Sequence, residues 1–178
     1  MSRLAACLFA FVLLLGAAPP FTLTSDDFND QASLGSAFVS DKNGCTGENK
    51  IPKLTWSGVP PKTLSFAIVV SDPDAYPATF FHWVRIDIPK TVTQLPPADE
   101  NVKDVGVDAR NSFDTIGYAG PCPPRREAPH HYVFTIYALS VDKLPKVGPN
   151  SKPDAILNAM RGHVLGQADL TGRYGRGF

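Results

Sequence analysis

Several things are scarce in this 178-residue chain, and each scarcity excludes something. There is no excess of charge: 17 Lys and Arg residues balance 17 Asp and Glu, and no basic run stands out. Broad electrostatic capture of nucleic acid needs a clustered positive surface, so no nucleic-acid partner is expected. Cysteine is limited to Cys7, Cys45 and Cys122. No Cys-rich spacing or His-x3-His pair accompanies them, so neither a metal nor another cofactor is expected. A Gly-x-Ser-x-Gly elbow is missing and no clear Cys–His pairing replaces it. Cys122 is the best thiol candidate, but prolines flank it. The expectation is a non-catalytic protein, with a hydrolase or metalloenzyme kept as the alternative. Internal repeats and low-complexity tracts are also missing.

What is present fits one folded unit. Hydrophobic residues make up 43% of the chain, which argues against disorder, and the length suits a single core. Seventeen prolines and fourteen glycines imply many turns and short strands. The first 20 residues read as a leader: Arg3 precedes the uncharged stretch Leu4 to Ala18, fifteen residues rich in Leu, Ala, Phe and Val. That is the pattern of a secretory signal peptide and falls short of the roughly 20 residues of a comfortable membrane span. Pro19 follows the small residues Gly16-Ala17-Ala18 and is awkward for cleavage. Export to the secretory route or periplasm is expected, with a membrane anchor as the outcome if the leader is retained. The folded domain is then 21–178. In an exported domain Cys45 and Cys122 either form one disulfide or stay as separate thiols. A bridge between them would close a long loop, for which chain entropy allows roughly 4 kcal/mol.

Strands dominate the remainder. Phe21 to Phe28 can begin a strand and turn, and residues 41–50 are polar and turn-rich. Leu64 to Ser71 is a β-branched, apolar core-strand candidate, stopped by Asp72-Pro73-Asp74 because proline cannot donate to a central ladder. A second strand runs from about Phe80 to Ile88, with His82 expected on the face of Val84, Ile86 and Ile88. A loop containing Pro96-Pro97 reaches to about Gly117. His131 to Leu139 is the third strong strand, and Val164 to Tyr174 the last. One helix is predicted over Pro153 to Arg161, with Ser151 or Asp154 as cap and Gly162 as terminator. The fold class is all-β with minor α: a β-sandwich with a C-terminal helix.

The chemistry-bearing residues gather around strand ends. Residues two apart on a strand share a face, so His130 and Tyr132 point together and His131 points away. Asp72 and Asp74 sit where a core strand becomes a loop, and Gly120-Pro-Cys-Pro-Pro124 forms a stiff loop just before His130. Four ordered motifs, Ser71-Asp-Pro-Asp-Ala75, Phe81-His-Trp83, Gly120-Pro-Cys-Pro-Pro124 and His130-His-Tyr132, together resemble the phosphatidylethanolamine-binding protein family. The likeness is to its bacterial-type, Raf kinase inhibitor-like branch, through Thr55 to Pro60 and Gly162 to Leu165 as well, and it covers nearly everything after about Phe21.

That resemblance implies antiparallel sheets and a small pocket for phosphate-type anions, phospholipid headgroups among them. Carried over by position, Asp72, His82, Pro124, His130 and Tyr132 would line the pocket, with Asp74, Gly120 and Pro123 shaping its rim. It also implies contact with a membrane surface, or a role restraining a kinase or protease through the protein's surface. Two segments depart from the family pattern: Tyr76 separates Ala75 from Pro77, and Arg125-Arg-Glu-Ala-Pro129 replaces a linker often richer in glycine. Asp72 could orient a pocket histidine and favour its protonated form, leaving the other ring nitrogen and the Tyr132 hydroxyl to donate to phosphate. Alternatively, a carboxylate could receive the ammonium of an ethanolamine headgroup.

Overall fold

A computed structural model describes residues 19–96 and 105–177; the leader, apart from Pro19 and Pro20, and part of the Pro96-Pro97 loop lie outside them. Eight strands and one α-helix are found among the described residues. In chain order they are β1 (Thr22–Ser25), β2 (Leu54–Ser57), β3 (Ser65–Asp72), β4 (Phe80–Pro89), β5 (Gln94–Leu95), β6 (Val107–Asp108), β7 (His130–Leu139), α1 (Pro153–Met160) and β8 (Val164–Tyr174). They form a three-stranded sheet ordered β1-β2-β5 and a five-stranded sheet ordered β6-β4-β3-β7-β8. Every named pairing is antiparallel and neither sheet closes on itself. No helix among the described residues is long and apolar enough to cross a membrane.

β3 shows why this architecture follows from the sequence. Its apolar run is continuous rather than alternating because both of its faces are covered. Phe66, Ile68 and Val70 meet Leu23, Leu54 and Trp56 of the small sheet. Ala67 and Val69 face a second cluster that includes Ile156 and Met160 of α1. The helix thus seals the outer face of the large sheet, while the sandwich core lies between the two sheets. Each fully buried aliphatic or aromatic side chain contributes about 1.5–3 kcal/mol relative to exposure.

Two expectations are corrected here. The backbone before α1 is capped at Lys152 without a side-chain hydrogen bond; Ser151 Oγ instead accepts from the Gly148 N–H at 3.0 Å, and Asp154 lies inside the first turn. Gly162 does follow the helix, in the left-handed region at φ 80°. The second correction concerns β4. His82 does not share a face with Val84, Ile86 and Ile88, because the β3–β4 register slips twice. Val70 pairs with Trp83 and Ser71 with Phe81, so His82 is an extra, unmatched residue. Further along, Ile86 and Asp87 together oppose Ala67, with Asp87 at φ 55°. Such bulges re-aim side chains. As a result Trp83 and Ile88 enter the sandwich core while Val84 and Ile86 pack on the helix side. The short strands β2, β5 and β6 were not anticipated; β5 and β6 have two residues each, too few for any periodicity to register.

Candidate functional site

One end of the large sheet carries a cavity of about 330 Å³, lined among others by Asp72, His82, Pro123, Pro124, His130 and Tyr132. Asp72 is the last residue of β3 and continues the Phe66-Ile68-Val70 face, so a carboxylate arrives where the sandwich core opens. His130 is the first residue of β7 and shares its inward face with Tyr132, Phe134 and Ile136, all buried. His82 reaches the same cavity through the bulge in β4. Its ring stands edge-on to Tyr132, with centroids 5.1 Å apart, and packs against Phe80 and Phe113.

The polar contacts divide the two histidines into opposite roles. Asp72 Oδ1 accepts from the N–H groups of Asp74 (2.9 Å) and Ala75 (3.1 Å), which fixes the carboxylate. Asp72 Oδ2 lies 2.7 Å from His130 Nδ1, and Glu127 Oε2 lies 2.9 Å from His130 Nε2. An imidazole can donate to carboxylates at both nitrogens only as the imidazolium. Burial acts to lower the His130 pKa, but the hydrogen bonds and charges of Asp72 and Glu127 outweigh it and raise the pKa above the usual histidine value.

His82 instead donates from Nδ1 to the Ala119 carbonyl at 2.7 Å, and burial pushes its pKa down, so the ring is neutral and Nε2 carries a lone pair. The Tyr132 hydroxyl is buried and makes no hydrogen bond of acceptable geometry, although the Asp72 carboxylate lies nearby. Burial first, and then the charge of Asp72, raises its pKa, so it remains a protonated donor. The cavity wall therefore carries one cation, whose two N–H groups are engaged by Asp72 and Glu127, together with one neutral donor and one acceptor.

Two predicted rim residues are placed differently. Asp74 does not line the cavity: its Oδ2 accepts from the His131 N–H and from His131 Nδ1, both at 2.7 Å. The hydrogen bond from the His131 backbone is the largest influence and depresses the Asp74 pKa; burial, next in size, opposes it, and the hydrogen bond from the His131 ring adds to the lowering. His131 thus occupies the opposite face of β7, as strand alternation predicts, but its ring has a partner there. Gly120 lies behind the cavity wall rather than in it. A Cβ at this position would collide with the Phe38 carbonyl and come within 2.7 Å of the Ser40 nitrogen, while the Gly120 N–H donates to Asn49 Oδ1 at 2.8 Å.

Cys45 and Cys122 form a disulfide, with Cα atoms 6.0 Å apart. It ties the proline-rich loop to the turn at residues 42–45, and Arg176 Nε adds a hydrogen bond to the Pro123 carbonyl at 2.6 Å. Sequence reasoning missed Ala75, Tyr76, Phe80, Phe113 and Glu127 as lining residues. Glu127 had a readable signal: a carboxylate three residues before His130, in the one linker that departs from the family pattern. Phe113 comes from a distant loop and had none. Among the described residues, no cluster of three or more His, Cys, Asp or Glu side chains has metal-binding geometry.

A two-sheet antiparallel sandwich with a preformed pocket at one end, apolar over most of its wall and carrying a few polar groups, defines a small binding protein. Comparison with known proteins gives the class its family. The family model described as phosphatidylethanolamine-binding protein matches residues 24–175. UPF0098 protein YbcL of Escherichia coli is 37% identical over 172 residues, covering 93% of each chain. A UPF0098 protein of Methanothermobacter thermautotrophicus is 40% identical over 161 residues, 87% of this chain and 99% of that one. A Mycobacterium tuberculosis protein provisionally named lipoprotein LppC is 36% identical, across 89% of this chain and 74% of its own length. The crystal structure of E. coli YbcL, described as a new member of the mammalian PEBP family, superposes with a TM-score of 0.81 over 87% of this chain and 98% of that one. The chain belongs to the phosphatidylethanolamine-binding protein family.

Proposed function

We propose that the protein is a non-catalytic binder of phosphate-containing anions, the headgroup of a phospholipid being one natural source, and that it works outside the cytosol. One observation carries the ligand reading: a buried imidazolium, His130, and a buried, unpartnered hydroxyl, Tyr132, border the same cavity. A buried donor left without a partner costs about 1–3 kcal/mol, a cost that an incoming oxyanion removes. The apolar part of the wall, from Phe80, Phe113 and the prolines, excludes water around those donors and strengthens the interaction. No nucleophile stands beside an activating base in this arrangement, which supports binding rather than turnover. Export is supported by the N-terminal leader pattern, by the Cys45–Cys122 disulfide, which is at home in oxidising compartments, and by the lipoprotein name of the mycobacterial relative.

Calorimetric titration with inorganic phosphate and with phosphorylethanolamine tests the ligand class. His130→Ala removes the charged donor and weakens binding by about 1.5–3 kcal/mol. His82→Ala weakens it less, because that ring is neutral and supports Tyr132. His131→Ala, on the opposite face, leaves binding nearly intact. Loss of binding in His131→Ala with retention in His130→Ala overturns the site. Subcellular fractionation tests the compartment, and a cytosolic product retaining Met1 refutes export.

A further inference from the structure

The outward nitrogen of His130 is already occupied. His130 has a side chain only 7% exposed, and its inner nitrogen is committed to Asp72. Its other nitrogen, the one that an oxyanion in the cavity would use, is taken by Glu127. The Glu127 side chain is 52% exposed and, unlike Asp72, receives no backbone N–H at its carboxylate among the described hydrogen bonds. Its loop is held at both ends. Arg125 forms a parallel bridge to Arg176, and Pro129 packs against Gly175. The side chain can therefore rotate toward solvent while the backbone stays in place.

We infer that Glu127 is an internal occupant of the anion pocket: its carboxylate holds the outward N–H of His130 in the free protein and must swing away before an external oxyanion takes that position. This rests on the anion-binding reading above and adds a specificity determinant to it. A carboxylate and a phosphate oxygen make the same kind of charge-assisted hydrogen bond to an imidazolium. They also repel one another at contact distance, so they compete. Binding then costs the loss of one half-exposed ion pair, and the affinity of the site is set by the difference between the two anions rather than by the phosphate contact alone. The exchange has a second consequence. In the free protein the imidazolium is never left without a counter-charge on its solvent side, so a weak anion cannot occupy the site merely because it is abundant. The other polar groups around the His130 ring are Asp72 in contact, His82 and Tyr132 across the cavity, and the Asp74–His131 pair on the far face of β7.

The experiment is titration of the full exported chain with inorganic phosphate at about pH 6, with the charge state of His130 in each protein that retains it followed by NMR. Four proteins are compared: wild type, Glu127→Gln, His130→Ala and Asp142→Asn. The last removes one negative charge from the loop after the opposite end of β7. The expected result is phosphate binding roughly tenfold tighter in Glu127→Gln, the equivalent of about 1.4 kcal/mol. Asp142→Asn stays within about twofold of wild type, as a screened distant charge should. His130→Ala loses binding. Wild type that binds, with Glu127→Gln equal or weaker, overturns the inference and leaves the anion-binding reading standing; a weaker Glu127→Gln would make Glu127 part of the ligand contact. Binding by Glu127→Gln but not by wild type supports the inference outright. Phosphate binding by neither, in proteins that fold, removes both the reading and the inference built on it.

Discussion

Asp72→Asn is the most informative single perturbation, because one atom is exchanged at a position where three hydrogen bonds meet. Asparagine keeps the Oδ1 position, so the N–H groups of Asp74 and Ala75 retain their acceptor. The Oδ2 position becomes either an NH2 group facing the His130 N–H or a flipped amide that abandons the turn. His130 and Asp72 side chains are 7% and 4% exposed, so the lost interaction is a buried, charge-assisted hydrogen bond rather than a surface ion pair. Such a bond contributes about 1.5–3 kcal/mol, and leaving one member of a buried pair uncompensated costs about 3–5 kcal/mol. His130 escapes the upper figure because it can lose its proton. The expected destabilisation is about 2–3 kcal/mol at neutral pH.

The sign with pH follows from the raised His130 pKa: stability from the pair is fully present below the unfolded-state value of about 6.5 and is lost as pH rises through the folded value. The deficit of Asp72→Asn is therefore largest in mildly acidic solution and shrinks in alkaline solution. Urea unfolding between pH 5.5 and 9, with an NMR titration of His130, measures both quantities. A variant within about 0.5 kcal/mol of wild type, with the His130 pKa unmoved, would refute the coupling of these two side chains.

Three further outcomes follow from the same geometry. Replacing Cys45 and Cys122 together by serine opens a loop spanning a sequence separation of 77 and lowers stability by up to about 4 kcal/mol in urea; a loss below about 1 kcal/mol would show that the denatured chain is already compact. Gly120→Ala forces a methyl group against the Phe38 carbonyl and the Ser40 nitrogen and costs about 1–3 kcal/mol by the same assay, whereas no change would mean that the loop moves freely. His82 is buried with a lowered pKa, so its contribution is lost as pH falls below about 6.5, opposite in sign to that of His130. The stability gap between wild type and His82→Gln should accordingly narrow from pH 7 to pH 5, and a widening gap would contradict a neutral His82.

The sequence pattern marks four of the five strands of the large sheet well because those four are long. β3, β4, β7 and β8 have eight to eleven residues each and clear boundaries at Pro73, Pro89, His130 and Gly162. Strand alternation alone separated His130 from His131, since neither residue interrupts β7. It failed at His82, because a bulge adds one residue and leaves no compositional mark; alternation puts on the wrong face a residue that does line the cavity. Asp74 misled for a different reason. In sequence it is one member of an acidic pair, while in space the turn after β3 sends Asp72 inward and Asp74 to the other face of β7. The motif resemblance could list both but could not divide them. Glu127 lies in a linker that departs from the family pattern, and its role depends on a distance to His130 that spacing alone does not determine.

The residues that carry the site are also those that the fold holds at a cost. A sandwich end could be closed with aliphatic side chains; here it holds a carboxylate, an imidazolium and an unpartnered phenol. Two local irregularities place them, the bulge at His82 and the end of β3 at Asp72. Both abut β-strands buried on two faces, where alternative positions are few. The compensation lies in the loops. The disulfide, the Tyr118 hydroxyl bonded to the Phe38 carbonyl, Asn49 spanning to Tyr118 and Gly120, and Arg176 on the Pro123 carbonyl fasten the wall from outside the cavity. None of these fasteners donates to or accepts from the His130–Asp72 pair. The wall can thus be rigid without using up the donors that face the cavity, and pre-organisation of this kind lowers the ordering cost of binding. Glu127, whose carboxylate takes the solvent-side N–H of His130, has no other hydrogen bond at that carboxylate among the described residues.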